Sequence, residues 1–236
     1  MTHALLWQEQ RQHPAKLIAV FIGHNALAFA AKRVAPRTSL GVLTAAAMLP
    51  DLIWPLFLIL GVEHVRIRLG ATLMTPLEFY DYPWTHSLVT TAGAGLLVAI
   101  LYWSISRNGR GAVVVGFCVL SHWLLDFVVH VRDLPLFPGG GPKFGLGVWN
   151  HRLLSIVIES VLFAASIVIY RDVTKARDRI GSIVFWAYVI TLAAIYISST
   201  RGVPPPNLRI LEWMAVSGWL LPFWAAWFDR HREVTV

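Results

Sequence analysis

Four residues whose side chains can bind metal ions or transfer protons lie between Ser121 and Leu136. If this segment is helical, His122, Asp126, His130 and Asp133 fall within about 80° of one another around the helix axis. Most residues between them are apolar. A stripe of two imidazoles and two carboxylates on an otherwise apolar helix indicates either a ligand site or a polar contact between helices.

His122 and Asp126 form the most informative pair in this stripe. They are four residues apart, about 6 Å along a helix and on the same face. An imidazole nitrogen and a carboxylate oxygen in that arrangement can bind one metal ion. The same spacing also suits a simple hydrogen bond between helices. The pair alone is therefore also consistent with a role in helix packing. We predict His130 as a further ligand or as a group that supports the ligands.

Four more candidate ligands are spread along the chain. Asp51, in "MLPDLIWP", stands between two prolines that predict a kinked or opened helix around the carboxylate; the alternative is a hinge that Asp51 caps. His86, in "YDYPWTHS", is a candidate ligand or an interfacial, helix-capping histidine. For His24 the alternative is close packing against another helix. For Glu159 it is a protonated acid bonded to a neighbouring helix.

The composition is that of a membrane protein. Of the 236 residues, 56% are hydrophobic and 14% are charged, and the mean hydropathy is +0.60. Most of the apolar runs are near the roughly 20 residues that cross a bilayer, and the first is shorter. The sequence therefore predicts an all-α, polytopic transmembrane helical bundle with six to seven membrane helices. The runs are Leu17 to Ala31, Leu40 to Val62, Leu88 to Ile105, Gly111 to Val131, Leu153 to Tyr170, Ile180 to Ser199 and Leu211 to Phe228.

A single integral membrane domain, residues 1–236, is the simplest division of the chain. We expect a polar N-terminal lead at 1–16, the metal-site helices at 17–170 and two additional transmembrane helices at 180–228. The net charge of +7 is scattered over many short loops. Scattered charge fits anionic lipid headgroups, so we expect the lipid bilayer as a partner and no nucleic acid.

The buried acids have no basic partners in the sequence pattern. All 20 Lys and Arg residues lie outside the apolar runs, whereas Asp51, Asp126 and Glu159 lie inside them. A buried carboxylate is costly unless it is paired, protonated or bound to a cation. Mixed imidazole and carboxylate ligands favour a divalent transition metal over calcium or copper(I). We expect zinc, with manganese or iron as alternatives.

The order of the motifs resembles the bacterial membrane-bound metal-dependent hydrolase family. The resemblance covers roughly Ile22 to Glu159 and comprises His24, "PD", "PWTHS", "SHWLLD", and "LPL" with "GLGVWN" following. That family is distantly similar to zinc-dependent phospholipase C and related zinc nucleases, which cleave phosphate esters at zinc clusters on helical scaffolds. Glu159 matches less closely than the other ligands. The resemblance implies metal ligation by His24, Asp51, His86, His122 and Asp126.

Together these observations predict a membrane-bound hydrolase that cleaves a phosphate ester or another ester bond of a lipid-borne substrate through a metal-activated water. Asp133 is the candidate for accepting the proton of that water. Arg132 and Lys143 are candidates for holding an anionic headgroup. The alternatives are a proton- or metal-coupled transporter, or a non-catalytic adaptor with a structural metal site.

The distribution of basic residues predicts an orientation. With seven crossings, the loops after the first, third and fifth runs, together with the C-terminal tail, hold 11 Lys and Arg residues, against 9 on the other side. The more basic side is expected in the cytoplasm. We therefore expect a protein of the bacterial inner membrane with its active site on the outer face.

Overall fold

The structure, a computed structural model, describes residues 21–201 and 204–235 and is mostly helical. The predicted polar lead at 1–16 and the first four residues of the first apolar run lie outside this part. Within it the helices are α1 (Phe21–Val34), α2 (Leu40–Ala47), α3 (Leu49–Ile59), α4 (Pro83–His86), α5 (Leu88–Ser106), α6 (Gly109–Val129), α7 (Arg152–Val173), α8 (Arg179–Arg201), α9 (Leu208–Val216) and α10 (Leu220–Arg230).

Four of the described helices, α5 to α8, are long and apolar enough to cross a membrane. Helices α2 and α3 together would make a fifth span with a bend of 55°. The prediction of a mostly helical membrane protein is confirmed, whereas the count of six to seven membrane helices is not. The run from Leu211 to Phe228 is divided between α9 and α10 by a 3-10 turn at Ser217–Trp219. Helix α1 has only 14 described residues.

The outward faces of the long helices are apolar. Leu96 of α5, Phe117 of α6, Val161 of α7 and Ile190 of α8 all have more than half of their surface exposed. Such a surface is unfavourable in water but matches the hydrocarbon of a bilayer. These faces support the assignment of α5 to α8 as spans.

Helix α1 lies inside the bundle, where it packs against α2, α6 and α7. Its Ile22, Ala28 and Phe29 are almost completely buried. Helix α10 packs on α2 and α8, and α5 packs on α6. The α5–α6 approach requires small residues, because a methyl group at Gly95 would lie 2.8 Å from the carbonyl oxygen of Gly116. This packing brings α1, α2 and α6 together around the predicted ligands.

Three short antiparallel strand pairs, which the sequence analysis did not predict, join the helix ends. They are too short for a periodic pattern to reveal them. β1 (His64–Ile67) pairs with β2 (Leu77–Asp81), β3 (Leu134–Pro135) with β4 (Lys143–Phe144), and β5 (Thr174–Ala176) with β6 (Arg232–Val234). The first two pairs lie at the end of the bundle that holds the predicted ligands, and the third lies at the opposite end.

A buried ion pair connects the helices at that opposite end. Lys32 Nζ of α1 lies 2.6 Å from Asp229 Oδ2 of α10 and also donates to the carbonyl oxygen of Thr38. The Asp229 carboxylate accepts two further hydrogen bonds, from the backbone N–H of Leu40 and from the hydroxyl of Tyr170. One carboxylate therefore ties α1, α2, α7 and α10 together.

Candidate metal centre

The structure brings five of the predicted ligands together. His24 Nε2 lies 3.2 Å from Asp126 Oδ1, and His122 Nε2 lies 3.3 Å from Asp126 Oδ2. His86 Nε2 and His122 Nε2 lie 3.4 and 3.6 Å from Asp51 Oδ1. These side chains come from α1, α3, α4 and α6, which are far apart in the sequence.

Two groups of ligand atoms share His122. One group contains His24, His122 and Asp126, and the other contains Asp51, His86 and His122; within each group the candidate ligand atoms lie within 4.8 Å of one another. The His24 and His122 rings stack with their centroids 3.7 Å apart. Asp51 is the accessible member, with 34% of its side chain exposed, whereas the other four residues are buried. The cluster is therefore accessible through Asp51, beside the bend between α2 and α3.

The surroundings of His122 indicate a site for a cation. Its Nδ1 lies 2.9 Å from the carbonyl oxygen of Ala47, the last residue of α2. A carbonyl can only accept, so Nδ1 carries the proton and donates it. The lone pair of Nε2 then faces the carboxylates of Asp51 and Asp126. This arrangement is unfavourable unless a metal ion or a further proton lies between these atoms, so the donor set fits a divalent cation.

A carboxylate and a hydroxyl orient His86 in the same way. The Thr85 hydroxyl donates to Glu63 Oε2 at 2.6 Å, so it accepts a hydrogen bond from His86 Nδ1 at 2.7 Å. This leaves His86 Nε2 facing the cluster. Glu63 is buried, and the sequence analysis missed both residues. Thr85 adjoins His86 in "PWTHS", but no local pattern indicates that Glu63 reaches it.

Glu63 also shapes the short helix α4. Pro83 occupies the first turn of this helix, where a missing N–H costs little. The next two N–H groups, of Trp84 and Thr85, both donate to Glu63 Oε1. These donors have no partners within so short a helix, and one carboxylate satisfies both. The carboxylate that orients His86 therefore also holds the helix that carries it.

His130 and Asp133 lie beside the cluster and outside both ligand groups. His130 Nδ1 lies 3.0 Å from Asp133 Oδ1, and the Tyr82 hydroxyl also donates to this oxygen. Burial lowers the pKa of His130, but the hydrogen bond to Asp133 together with the charges of Asp126, Asp133 and Asp51 raises it overall. The ring packs against Trp149, with the centroids 4.2 Å apart. Asp133 thus orients His130. This position is consistent with the prediction that His130 supports the candidate ligands.

The segment "GLG" after β4 holds His130 in place at the end of α6. The backbone N–H of Leu146 donates to the carbonyl oxygen of Phe127, and that of Gly147 donates to the carbonyl oxygen of His130. These bonds satisfy carbonyl groups that have no partner inside the helix. Gly145 has φ +151° and lies so close to the backbone carbonyls of His130 and Val131 that a Cβ would collide with them. This close approach requires glycine.

The structure leaves three predicted site residues away from the cluster. Glu159 is buried on α7, where it interacts electrostatically with Tyr196 of α8, and it belongs to neither ligand group. Arg132 is exposed in the turn after α6. The exposed Lys143 donates to the backbone carbonyl oxygen of Tyr80 at 2.9 Å, which attaches β4 to β2. The two cations therefore lie at the same end of the bundle as the cluster without contacting it.

Comparison with known proteins leaves the family of the chain open. No family profile and no solved structure matches it. The chain is similar to the S-adenosylmethionine permease GAP4 of Candida albicans (strain SC5314), with 26% identity over 143 residues. The matched part covers 55% of this chain and 23% of that permease, so the chain spans less than a quarter of its relative's length. The similarity agrees with the apolar helices in indicating a membrane protein.

Proposed function

We propose that this protein is a membrane-bound metal-dependent hydrolase. His24, Asp51, His86, His122 and Asp126 would hold a divalent transition metal, with zinc favoured and manganese or iron as alternatives. The observation that carries the proposal is the His122 Nε2 lone pair facing two carboxylates. Within the described residues, the ion pairs of Asp51 and Asp126 are with histidines alone, so a bound cation would supply the missing positive charge.

The residues around the cluster suit hydrolysis of an ester. A divalent ion held there would lower the pKa of a bound water and polarise the oxygen of a phosphate or other ester. Asp51 leaves one side of the cluster accessible. Asp133, with 17% of its side chain exposed, is the proposed proton acceptor, supported by its bond to His130. Arg132 and Lys143 are proposed to hold the anionic headgroup of a lipid-borne substrate.

Transport is the second candidate function, and the similarity to the S-adenosylmethionine permease favours it. Intramembrane acids, histidines and bent helices also occur in transport pathways. However, His86 lies before the first residue of span α5, and His122 lies seven residues before the end of span α6, about 10 Å along the helix. The cluster thus extends from one end of the bundle, at His86, to within about 5 Å of the middle of span α6, at His122; transport sites usually lie near the bilayer midplane.

Purified protein is expected to contain at least one transition-metal ion per chain, because among the described residues the carboxylates of Asp51 and Asp126 otherwise pair only with histidines. Elemental analysis measures the metal. A screen of phosphate esters is expected to find hydrolysis that chelation removes and that zinc, manganese or iron restores. Folded protein that remains active without metal would exclude this mechanism. Metal-containing protein that hydrolyses no ester but moves metal ions or protons across liposome membranes would instead establish the transporter.

We also propose that the cluster faces outward from a bacterial inner membrane. The opposite end of the bundle is the more basic one and is expected in the cytoplasm. Its Lys and Arg residues are Lys32, Arg33, Arg37, Arg107, Arg110, Arg171, Lys175, Arg177, Arg179, Arg230 and Arg232.

Cysteine labelling of intact bacterial cells tests this orientation. An impermeant maleimide is expected to label Lys143→Cys directly and Arg177→Cys only after permeabilisation, because the two positions lie at opposite ends of the bundle. The native Cys118 is buried, so the maleimide is not expected to label it. Labelling in the reverse order would place the cluster on the cytoplasmic side.

A further inference from the structure

A cavity of about 350 Å³ lies at the end of the bundle opposite the candidate metal centre. The ends of α7 and α8 and the β5–β6 pair form its walls. Among the described residues, its lining includes three cationic side chains and no carboxylate. The polar and aromatic lining includes Arg171, Lys175 and Arg232, the hydroxyl groups of Thr174, Ser182 and Thr235, and the rings of two aromatic residues.

Arg232 is held in position by hydrogen bonds before any ligand binds, and Arg171 lies against an aromatic ring. Arg232 donates from Nε to the Thr174 hydroxyl, from Nη1 to the carbonyl oxygen of Gly181 and from Nη2 to that of Thr174. Its guanidinium also lies over the Phe185 ring, 4.9 Å from the centroid. Arg171 lies over the Trp186 ring at 5.5 Å. The bonds of Arg232 leave some of its N–H donors for a ligand, and its fixed position reduces the ordering cost of binding.

The charge around the cavity stays positive in part because two nearby acids have other partners. Asp178 pairs with His231 at 2.6 Å and accepts from the backbone N–H of Gly181, and Asp229 pairs with Lys32. Glu233 stands opposite Lys175 in the β5–β6 register and offsets part of that charge.

The two guanidinium groups also repel each other. Burial lowers the pKa of Arg232 and the charge of Arg171 acts in the same direction, whereas the charges of Tyr170 and Asp229 oppose this shift. An anion in the cavity would relieve the repulsion between these two cations. Guanidinium groups pair especially well with phosphate oxygens. A phosphate group therefore suits the basic lining of this cavity.

An apolar surface continues from the cavity along span α8. Ile183, Trp186 and Ile190 are exposed and fall within about 60° of one another around the helix. A free phosphate would use only the basic cavity, whereas a phospholipid would also cover this surface. We propose that the cavity binds the phosphate group of an anionic phospholipid, with an acyl chain lying along Ile183 and Ile190. Basic pockets between membrane helices bind lipid headgroups in this way, and the proposal is independent of the hydrolase.

The test compares binding of short-chain phosphatidylglycerol, phosphatidylcholine and inorganic phosphate to the purified full-length protein in detergent, by microscale thermophoresis. Phosphatidylglycerol is expected to bind most tightly. Arg171→Gln and Lys175→Gln should each raise its dissociation constant by about fivefold, the loss expected for one cation near an anionic headgroup. Arg177→Gln is the matched control, because Arg177 is exposed at the same end but does not line the cavity.

Two results would overturn the proposal. Equal weakening by Arg171→Gln and Arg177→Gln would show general attraction between charges, without a defined site. Inorganic phosphate that binds as tightly as phosphatidylglycerol and displaces it would assign the cavity to a free anion. If Arg171→Gln does not fold, Lys175→Gln provides the same comparison, because Lys175 is exposed.

Discussion

Asp126→Asn is expected to lose bound metal and to reduce ester hydrolysis by orders of magnitude. The two oxygens of Asp126 lie 3.2 Å from His24 Nε2 and 3.3 Å from His122 Nε2. An asparagine at this position keeps the size of the side chain and one accepting oxygen, but it loses the anionic ligand. Because the activated water depends on the ion, activity should fall together with metal content. His122→Ala should behave in the same way.

Packing alone predicts a different result for Asp126→Asn. A hydrogen bond between membrane helices is worth about 0.6 kcal/mol and at most roughly 2 kcal/mol. If Asp126 served only this purpose, the variant would lose some stability and keep its turnover per folded molecule. Elemental analysis and kcat of the folded fraction separate the two cases. Full metal content and full activity in folded Asp126→Asn would show that the polar stripe of α6 is packing.

The chain offers a matched control for this substitution. Asp81 pairs with His64 at 2.9 Å at the same end of the bundle, but both side chains are about half exposed and lie outside the ligand groups. Asp81→Asn therefore removes a carboxylate from a histidine pair without touching the cluster. We expect its metal content and kcat to match those of the unmodified protein.

Asp229→Ala is expected to lower the free energy of unfolding by about 3–5 kcal/mol, because it leaves the buried ammonium of Lys32 without a counter-charge. Only 5% of the Lys32 side chain is exposed. The substitution also removes the acceptor of the Leu40 N–H and the Tyr170 hydroxyl. Because this carboxylate connects four helices, its loss should weaken the bundle as a whole.

Denaturant unfolding in detergent measures this change. The double variant Lys32→Met, Asp229→Leu should recover much of the lost stability, because replacing both members of a buried pair by apolar residues is often neutral. Asp178→Ala is the control, since it breaks an exposed pair with His231 at the same end of the bundle and removes one N-terminal cap of α8; only the small loss of one helix cap is expected, well below that of Asp229→Ala. A loss in Asp178→Ala as large as in Asp229→Ala would show that burial of the charge is not the cause.

Local patterns in the sequence were sufficient for the helix faces and for selecting the residues that the fold brings together in the cluster. Apolar runs separated by basic loops indicate membrane helices because hydrocarbon excludes unpaired polar groups. The four-residue spacing of His122 and Asp126 places both on one face of α6 because of the geometry of the helix. The prolines around Asp51 predicted an interruption, and a 55° bend between α2 and α3 lies just before Pro50, whereas Pro55 lies inside α3.

Only the tertiary structure determined which distant groups meet. Lys32 and Asp229 are 197 residues apart in the chain, and Glu63 reaches His86 through Thr85 from a loop. The carbonyl of Ala47 orients His122, and Glu159 turns to α8 instead of the cluster. Helical periodicity specifies which face of a helix is polar, but not which other face it meets, because that depends on packing of the whole bundle.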